Sequence, residues 1–238
     1  DAVFYPNITA ETFMQEGWHH ELEAPDKDIT YKGVVFNEMK GVFSSPESIL
    51  DRHLSHSLFP KTTYGYESGG DPDAIPELTF DEFKNFHRKF YHPSNSRIFF
   101  YGDGDTSEYL DFLNREYLKD FESIEIESAV SAQRRFSKPK RKVISYAVSK
   151  DESLENKTFV VVGLKLDKST NHEHCMALNI LSHLLLGTSA SPLRKALIDS
   201  ELGSEVIGGG FDDNRFETMF AVGLKGTEAD NEDKILNL

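Results

Sequence analysis

The sequence predicts an α+β fold, on three observations. Several segments carry apolar residues at helical spacing, such as Leu50, Leu54 and Leu58. Residues 206–210 and 216–225 read as strands joined by the short connection 211–215, an antiparallel pair. Strands and helices are interspersed in both halves of the chain, which places it in the α+β class.

The first half reads as follows. Residues 1–30 mix Phe4, Tyr5, Phe13 and Trp18 with polar residues, and 16–22 form a short strand before a Pro25-Asp26 turn. A helix is expected from Tyr31 to Phe43. Ser44-Ser-Pro-Glu47 fits a capping box with proline in the first turn and opens a second helix. Residues 64–77, rich in Gly, Asp and Pro, read as a long ordered loop or a lid. Thr79-Phe-Asp-Glu82 is another capping box; its helix puts Phe83, Phe86 and Phe90 on one face and stops at His92-Pro93. Residues 97–101 are expected as a strand, and 109–121 as a helix with Leu110, Leu113, Tyr117 and Phe121 as its core stripe.

Residues 122–150 change character, from Glu122, Glu125 and Glu127 to Arg134, Arg135, Lys138, Lys140, Arg141 and Lys142. This reads as a solvated interdomain linker leading into a strand over 142–148. A second unit follows: a strand over 158–166, a helix over 171–187, and a helix with Ser191 as N-cap and Pro192 at its first position, ending at Gly203. The strand pair completes it, and 228–238 open a further helix.

A length of 238 residues suits one large domain or two small ones. No run approaches the roughly 18 apolar residues of a membrane span, so no membrane role is expected. The net charge of −14 disfavours non-specific nucleic-acid binding and would steer basic peptides. Binding of nucleic acid through 134–142 would be salt-sensitive, but the run has no interleaved aromatic beyond Phe136. The lone Cys175 removes disulfide frameworks and Cys-rich zinc sites; set in an apolar helix with no base nearby, it reads as inert. The chain starts at Asp1 without Met or a signal or transit segment, and both ends read as those of a piece of something longer.

Histidines are the first candidates for metal chemistry. His19 and His20 point to opposite faces of a strand. His53 and His56 stand at i, i+3 but on different sides of their helix, and His172 and His174 flank Glu173 at a helix entry. His87, His92 and His183 are single. Gly208-Gly-Gly210 leads into no helix and signals a hairpin or bulge, and Asp103-Gly-Asp105 reads as a turn. The remaining oddity is Glu38. At 100° per residue it falls between Val34 and Val42, beside Val35 and Tyr31, in the apolar arc of its helix. A carboxylate there needs the edge of the face, a basic partner or a metal.

The string Glu16-Gly-Trp-His and then Tyr31-Lys-Gly-Val-Val-Phe-Asn-Glu-Met-Lys-Gly41 resembles the presequence proteases, within the pitrilysin/insulinase-type zinc metallopeptidases, nearest to the plant organellar type. The resemblance continues in order through Thr63-Tyr-Gly, Ser68-Gly-Gly-Asp-Pro72, Leu78-Thr-Phe-Asp-Glu-Phe-Lys84, Phe90-Tyr-His-Pro-Ser-Asn95, Phe100-Tyr-Gly-Asp103, Leu186-Gly-Thr, Ala190-Ser-Pro-Leu-Arg-Lys195 and Gly223-Leu-Lys-Gly226. It implies two partial domains of that type, each a mostly antiparallel sheet packed with helices. The implied limits are 1–125 for the later part of the first, zinc-site domain, 126–150 for a linker, and 151–238 for the front of the second. It implies Glu38 as the third ligand of a Zn²⁺ whose other ligands are the two His of an upstream inverted H-x-x-E-H motif. Zinc would acidify its water and polarise the scissile carbonyl, with the motif Glu as general base. Only 37 residues precede Glu38, so that motif and the family's second half, the chain's implied partners, lie outside this segment, which carries no catalytic residue of its own. The implied activity is endoproteolysis of free targeting presequences and other short unstructured peptides in an enclosed chamber, in the mitochondrial matrix and/or chloroplast stroma. The alternative is a non-catalytic truncated relative that binds peptides or serves as a scaffold.

Overall fold

A computed structural model describes residues 2–238. In chain order the elements are α1 (Ala10–Glu16), β1 (His19–Glu21), β2 (Thr30–Lys32), α2 (Val34–Val42), α3 (Pro46–Leu58), α4 (Phe80–Phe90), α5 (Thr106–Glu116), β3 (Thr158–Lys168), α6 (His172–Leu186), α7 (Pro192–Asp199), β4 (Glu205–Asp212), β5 (Glu217–Thr227) and α8 (Glu232–Leu236). Helices combine with two antiparallel sheets, so the fold is α+β. The chain divides into two compact units: Asp1–Val42 with Ser68–Ala129, and Phe43–Glu67 with Val130–Leu238.

In the first unit β1 and β2 form a hairpin, with His20 opposite Tyr31. Thr79 and Glu82 build the expected capping box of α4: the Thr79 hydroxyl accepts from the Glu82 N–H at 3.2 Å, and the Glu82 carboxylate accepts from the Thr79 N–H at 2.9 Å. Phe13 of α1 packs on Phe80 and Phe83 of α4. Asp105 caps α5 by accepting from the Ser107 and Glu108 N–H groups, so the helix starts three residues before the expected Tyr109.

The second unit is built on the sheet β3-β5-β4, with β5 in the middle. One face carries Met219 and Ala221 of β5 against Leu54 and Leu58 of α3 and Phe59. The other carries Leu224 and Val222 against Leu197 of α7 and Ile235 of α8. Complete burial of a side chain such as Leu224 contributes about 1.5–3 kcal/mol. The register of β4 against β5 shifts between Ile207 and Gly210. Gly208, Gly209 and Gly210 all have positive φ there, so the glycine triplet is a bulge.

Several expectations are corrected. Residues 97–101 and 142–148 form no regular secondary structure and pair with no strand among the described residues, and Phe99, Tyr101 and Val143 are largely exposed. A strand is stabilised by its ladder, and neither segment has one. Phe83, Phe86 and Leu110 are also exposed instead of forming core stripes. The N-cap of α3 is Ser45, whose hydroxyl accepts from the Ser48 N–H, and α7 ends at Asp199 instead of running to Gly203.

Candidate functional site

Glu38 stands in the middle of α2, and local geometry fixes how α2 is presented. Gly33 precedes the helix with φ +148°, and a Cβ there would lie 2.1 Å from the Gly17 carbonyl oxygen. Only glycine lets the two backbones approach so closely. The Phe36 N–H then donates to that same carbonyl at 3.3 Å. The Trp18 indole donates to the Leu78 carbonyl at 2.9 Å and sets its edge against His20 and Tyr31. On the next turn Met39 packs against Gly69, where a Cβ would meet its sulfur.

These anchors decide which side of α2 faces inward. Phe36 and Met39 are each only 6 % exposed. Glu38 lies on the opposite side and is exposed, as are Val34, Val35, Val42 and the neighbouring Tyr31. The expectation that the valine arc is buried is therefore reversed. The sequence offers two apolar arcs, and the close crossing at Gly17 and Gly33 selects the one with Phe36 and Met39. The Glu38 side chain makes no hydrogen bond or ion pair among the described residues. It is an open carboxylate ringed by exposed apolar side chains.

The histidines remain dispersed. His19 Nδ1 lies 2.8 Å from the Met14 carbonyl and its Nε2 3.4 Å from Glu21, whereas His20 faces Tyr31 across the hairpin. His53 Nδ1 accepts from the Lys142 ammonium at 3.3 Å, and the charges of Lys142, Arg52 and His56 add to burial in holding its pKa below 6.5. His174 Nδ1 lies 3.2 Å from Asp167, so the carboxylate it meets is not Glu173. Cys175 is a buried free thiol whose sulfur points at the Lys168 and Ser169 carbonyls. Among the described residues, no three or more His, Cys, Asp or Glu side chains are placed to hold a metal ion. The residues present do not fit a complete zinc site, and Glu38 is at most one ligand of one.

In the basic run, Arg141 makes a bidentate pair with Glu232 at 2.6 Å, and Lys140 lies over the Phe136 ring. Sequence reading missed Gln133, which is buried at the start of this run. Its N–H donates to Glu217 at 2.5 Å, and its side-chain oxygen accepts from the Lys61 N–H at 3.0 Å. Glu217 also pairs with Lys165 at 2.6 Å, both almost fully buried. A polar residue in a charged stretch gives no sequence signal of such a role. No described helix is long and apolar enough to cross a membrane.

The family profile described as peptidase M16 inactive domain matches residues 77–238. The chain belongs to the peptidase M16 family, in agreement with the motif resemblance. It is 48 % identical to presequence protease 1, chloroplastic/mitochondrial, of Arabidopsis thaliana, over all of this chain and 22 % of the relative. It is 44 % identical to protein HypA of Clostridium perfringens, over 98 % of this chain and 24 % of that one. The mitochondrial presequence protease of Xenopus laevis is 37 % identical over the whole chain and 24 % of its own length. The chain thus spans about a quarter of the length of these relatives. A crystal structure of a protease from Helicobacter pylori shares the fold with a TM-score of 0.57 and 23 % identity, covering 84 % of this chain and 48 % of that one.

Proposed function

We propose that these residues form part of a longer zinc metalloendopeptidase that degrades free targeting presequences and other short unstructured peptides. The observation that carries this reading is the open Glu38 carboxylate in its collar of exposed Tyr31, Val34, Val35 and Val42. An exposed apolar patch around an unpaired anion is a surface made to be covered. In this proposal an upstream helix covers it and brings two His ligands, and Glu38 completes the zinc site. The match of the whole chain to about a quarter of the presequence proteases supports the substrate class and a place in the mitochondrial matrix and/or chloroplast stroma. The net charge of −14 would favour basic peptides. The enclosed chamber that excludes folded proteins belongs to the same proposal.

The proposed domain reading places the later part of the zinc-site domain at 1–125, a linker at 126–150 and the front of a second domain at 151–238. The compact units divide the chain elsewhere, after Val42, Glu67 and Ala129. The test is cleavage of a basic, unstructured presequence peptide by a chain extended upstream to the length of the relatives. The extended chain cleaves it, and Glu38→Gln abolishes cleavage. Undiminished activity in that variant rejects the ligand assignment.

A second reading is favoured by the description of the matching profile as an inactive domain. In it the chain binds peptides or serves as a scaffold without catalysis. Peptide binding without cleavage by the extended chain supports this reading over the first.

A further inference from the structure

The first unit contains an open surface pocket of about 390 Å³. It lies between the segment 4–8, α4 and Phe121. Phe4, Ile8, Tyr91 and Phe121 supply an apolar wall, while Lys84, Arg88 and two histidines supply the polar part. No Asp or Glu lines it among the described residues, although the chain carries 40 of them against 26 Lys and Arg. Its two formally charged side chains, Lys84 and Arg88, are both cations, an electrostatic setting that favours an anion.

The walls are fixed by contacts unrelated to Glu38. The Tyr5 hydroxyl donates to the Tyr117 carbonyl at 3.0 Å, and Phe4 and Tyr5 both pack against Phe121. His87 holds the Val3 carbonyl through Nε2 at 2.9 Å and stacks on Tyr91. The cations differ in what they have left to give. Lys84 is engaged, with its ammonium 3.2 Å from Asp81 and over the Phe80 ring. Arg88 spends one of its five donors on Asn85 at 2.8 Å. His92 accepts the Ser94 N–H at Nδ1, which leaves its proton on Nε2 as a donor. Asp81 pairs with Lys84 and Asp120 acts on Tyr5, and neither carboxylate lines the pocket.

We propose that this open pocket binds a carboxylate carrying one aromatic or branched apolar group, with Arg88 gripping the carboxylate and Phe4, Ile8, Tyr91 and Phe121 lining the apolar part. The C-terminus of a peptide and a free aromatic acid share this chemistry. The site is independent of the zinc reading and stands or falls separately from it.

The test is calorimetric titration of the 238-residue chain with four probes: N-acetylphenylalanine, its amide, and the pentapeptide Ala-Ala-Ala-Ala-Phe as free acid and as amide. The acids bind saturably, and each amide binds about tenfold more weakly or worse, the loss expected when a charge-assisted hydrogen bond is removed. Arg88→Gln weakens acid binding by a similar factor and leaves amide binding unchanged. A pentapeptide acid at least tenfold tighter than the capped amino acid supports the proposal with a peptide end as ligand, and equal affinity supports it with a free acid. Equal binding of acid and amide, no saturable binding, or an unaffected Arg88→Gln overturns it. The acid–amide comparison uses the unaltered chain, so a misfolded variant does not remove the test.

Discussion

The most consequential single side chain outside the candidate site is Glu217. It is buried on β5, pairs with Lys165 and accepts the Gln133 N–H, so one carboxylate ties the basic segment to the sheet. Removing one partner of a buried pair leaves the other charge uncompensated, at a cost of about 3–5 kcal/mol. Glu217→Ala should therefore lower the urea midpoint strongly, whereas Lys195→Ala, which breaks an exposed i,i+4 pair with Asp199, should leave it unchanged within error. His53 gives a pH signature. Burial, followed by the charges of Lys142, Arg52 and His56, holds its folded pKa below 6.5. As pH falls below about 6.5 the unfolded chain takes up the proton first, so stability present above that value is lost through the folded pKa. His53→Gln should flatten the stability profile in this acidic window. A slope identical to that of the parent chain contradicts the assignment.

Among the elements, local signals were the most legible in the sequence. The capping box of α4 and the Asn171 cap of α6 depend on side chains within a few residues of the cap, and α7 starts at Pro192 as expected although the Ser191 hydroxyl makes no cap bond. Thr79→Ala should cost about 1 kcal/mol of α4 stability, read by chemical denaturation. The glycine bulge was legible as a bulge or hairpin, but its internal order was not. Gly208, at φ +101°, would place a Cβ 2.7 Å from the Ala221 backbone, whereas Gly209, at φ +73°, faces open space. Gly208→Ala should therefore destabilise by clearly more than the roughly 1–2 kcal/mol of left-handed strain expected for Gly209→Ala. Equal losses would show that strain, not the approach of β4 to β5, governs both sites. Residues 97–101 and 142–148 have strand composition, but pairing is non-local and composition does not report it. The face of α2 failed for a related reason. With apolar residues on two sides, only the approach of Gly33 to Gly17 decides which side turns inward.

At the scale of the molecule, much apolar surface of the first unit is exposed: Tyr31, Val34, Val35 and Val42 on and beside α2, Phe83 and Phe86 on α4, and 98–101 beyond it. Large apolar side chains left exposed in this number favour an interaction surface. The chain corresponds to about a quarter of its relatives, so the rest of a longer chain is the partner proposed for them. The α+β class was legible because it follows from element composition, and Glu38 stands out in the sequence as a carboxylate among valines. That its apolar surroundings lie open to solvent was not legible, since which face is covered depends on the whole fold. The most direct test of the account is the equilibrium zinc affinity of the chain extended upstream, with Glu38 intact and as Glu38→Gln. The account predicts one ion per chain for the parent, and a loss in the variant beyond the roughly 10–100-fold that removal of an outer-shell partner costs. Equal zinc affinity in the two proteins would contradict it.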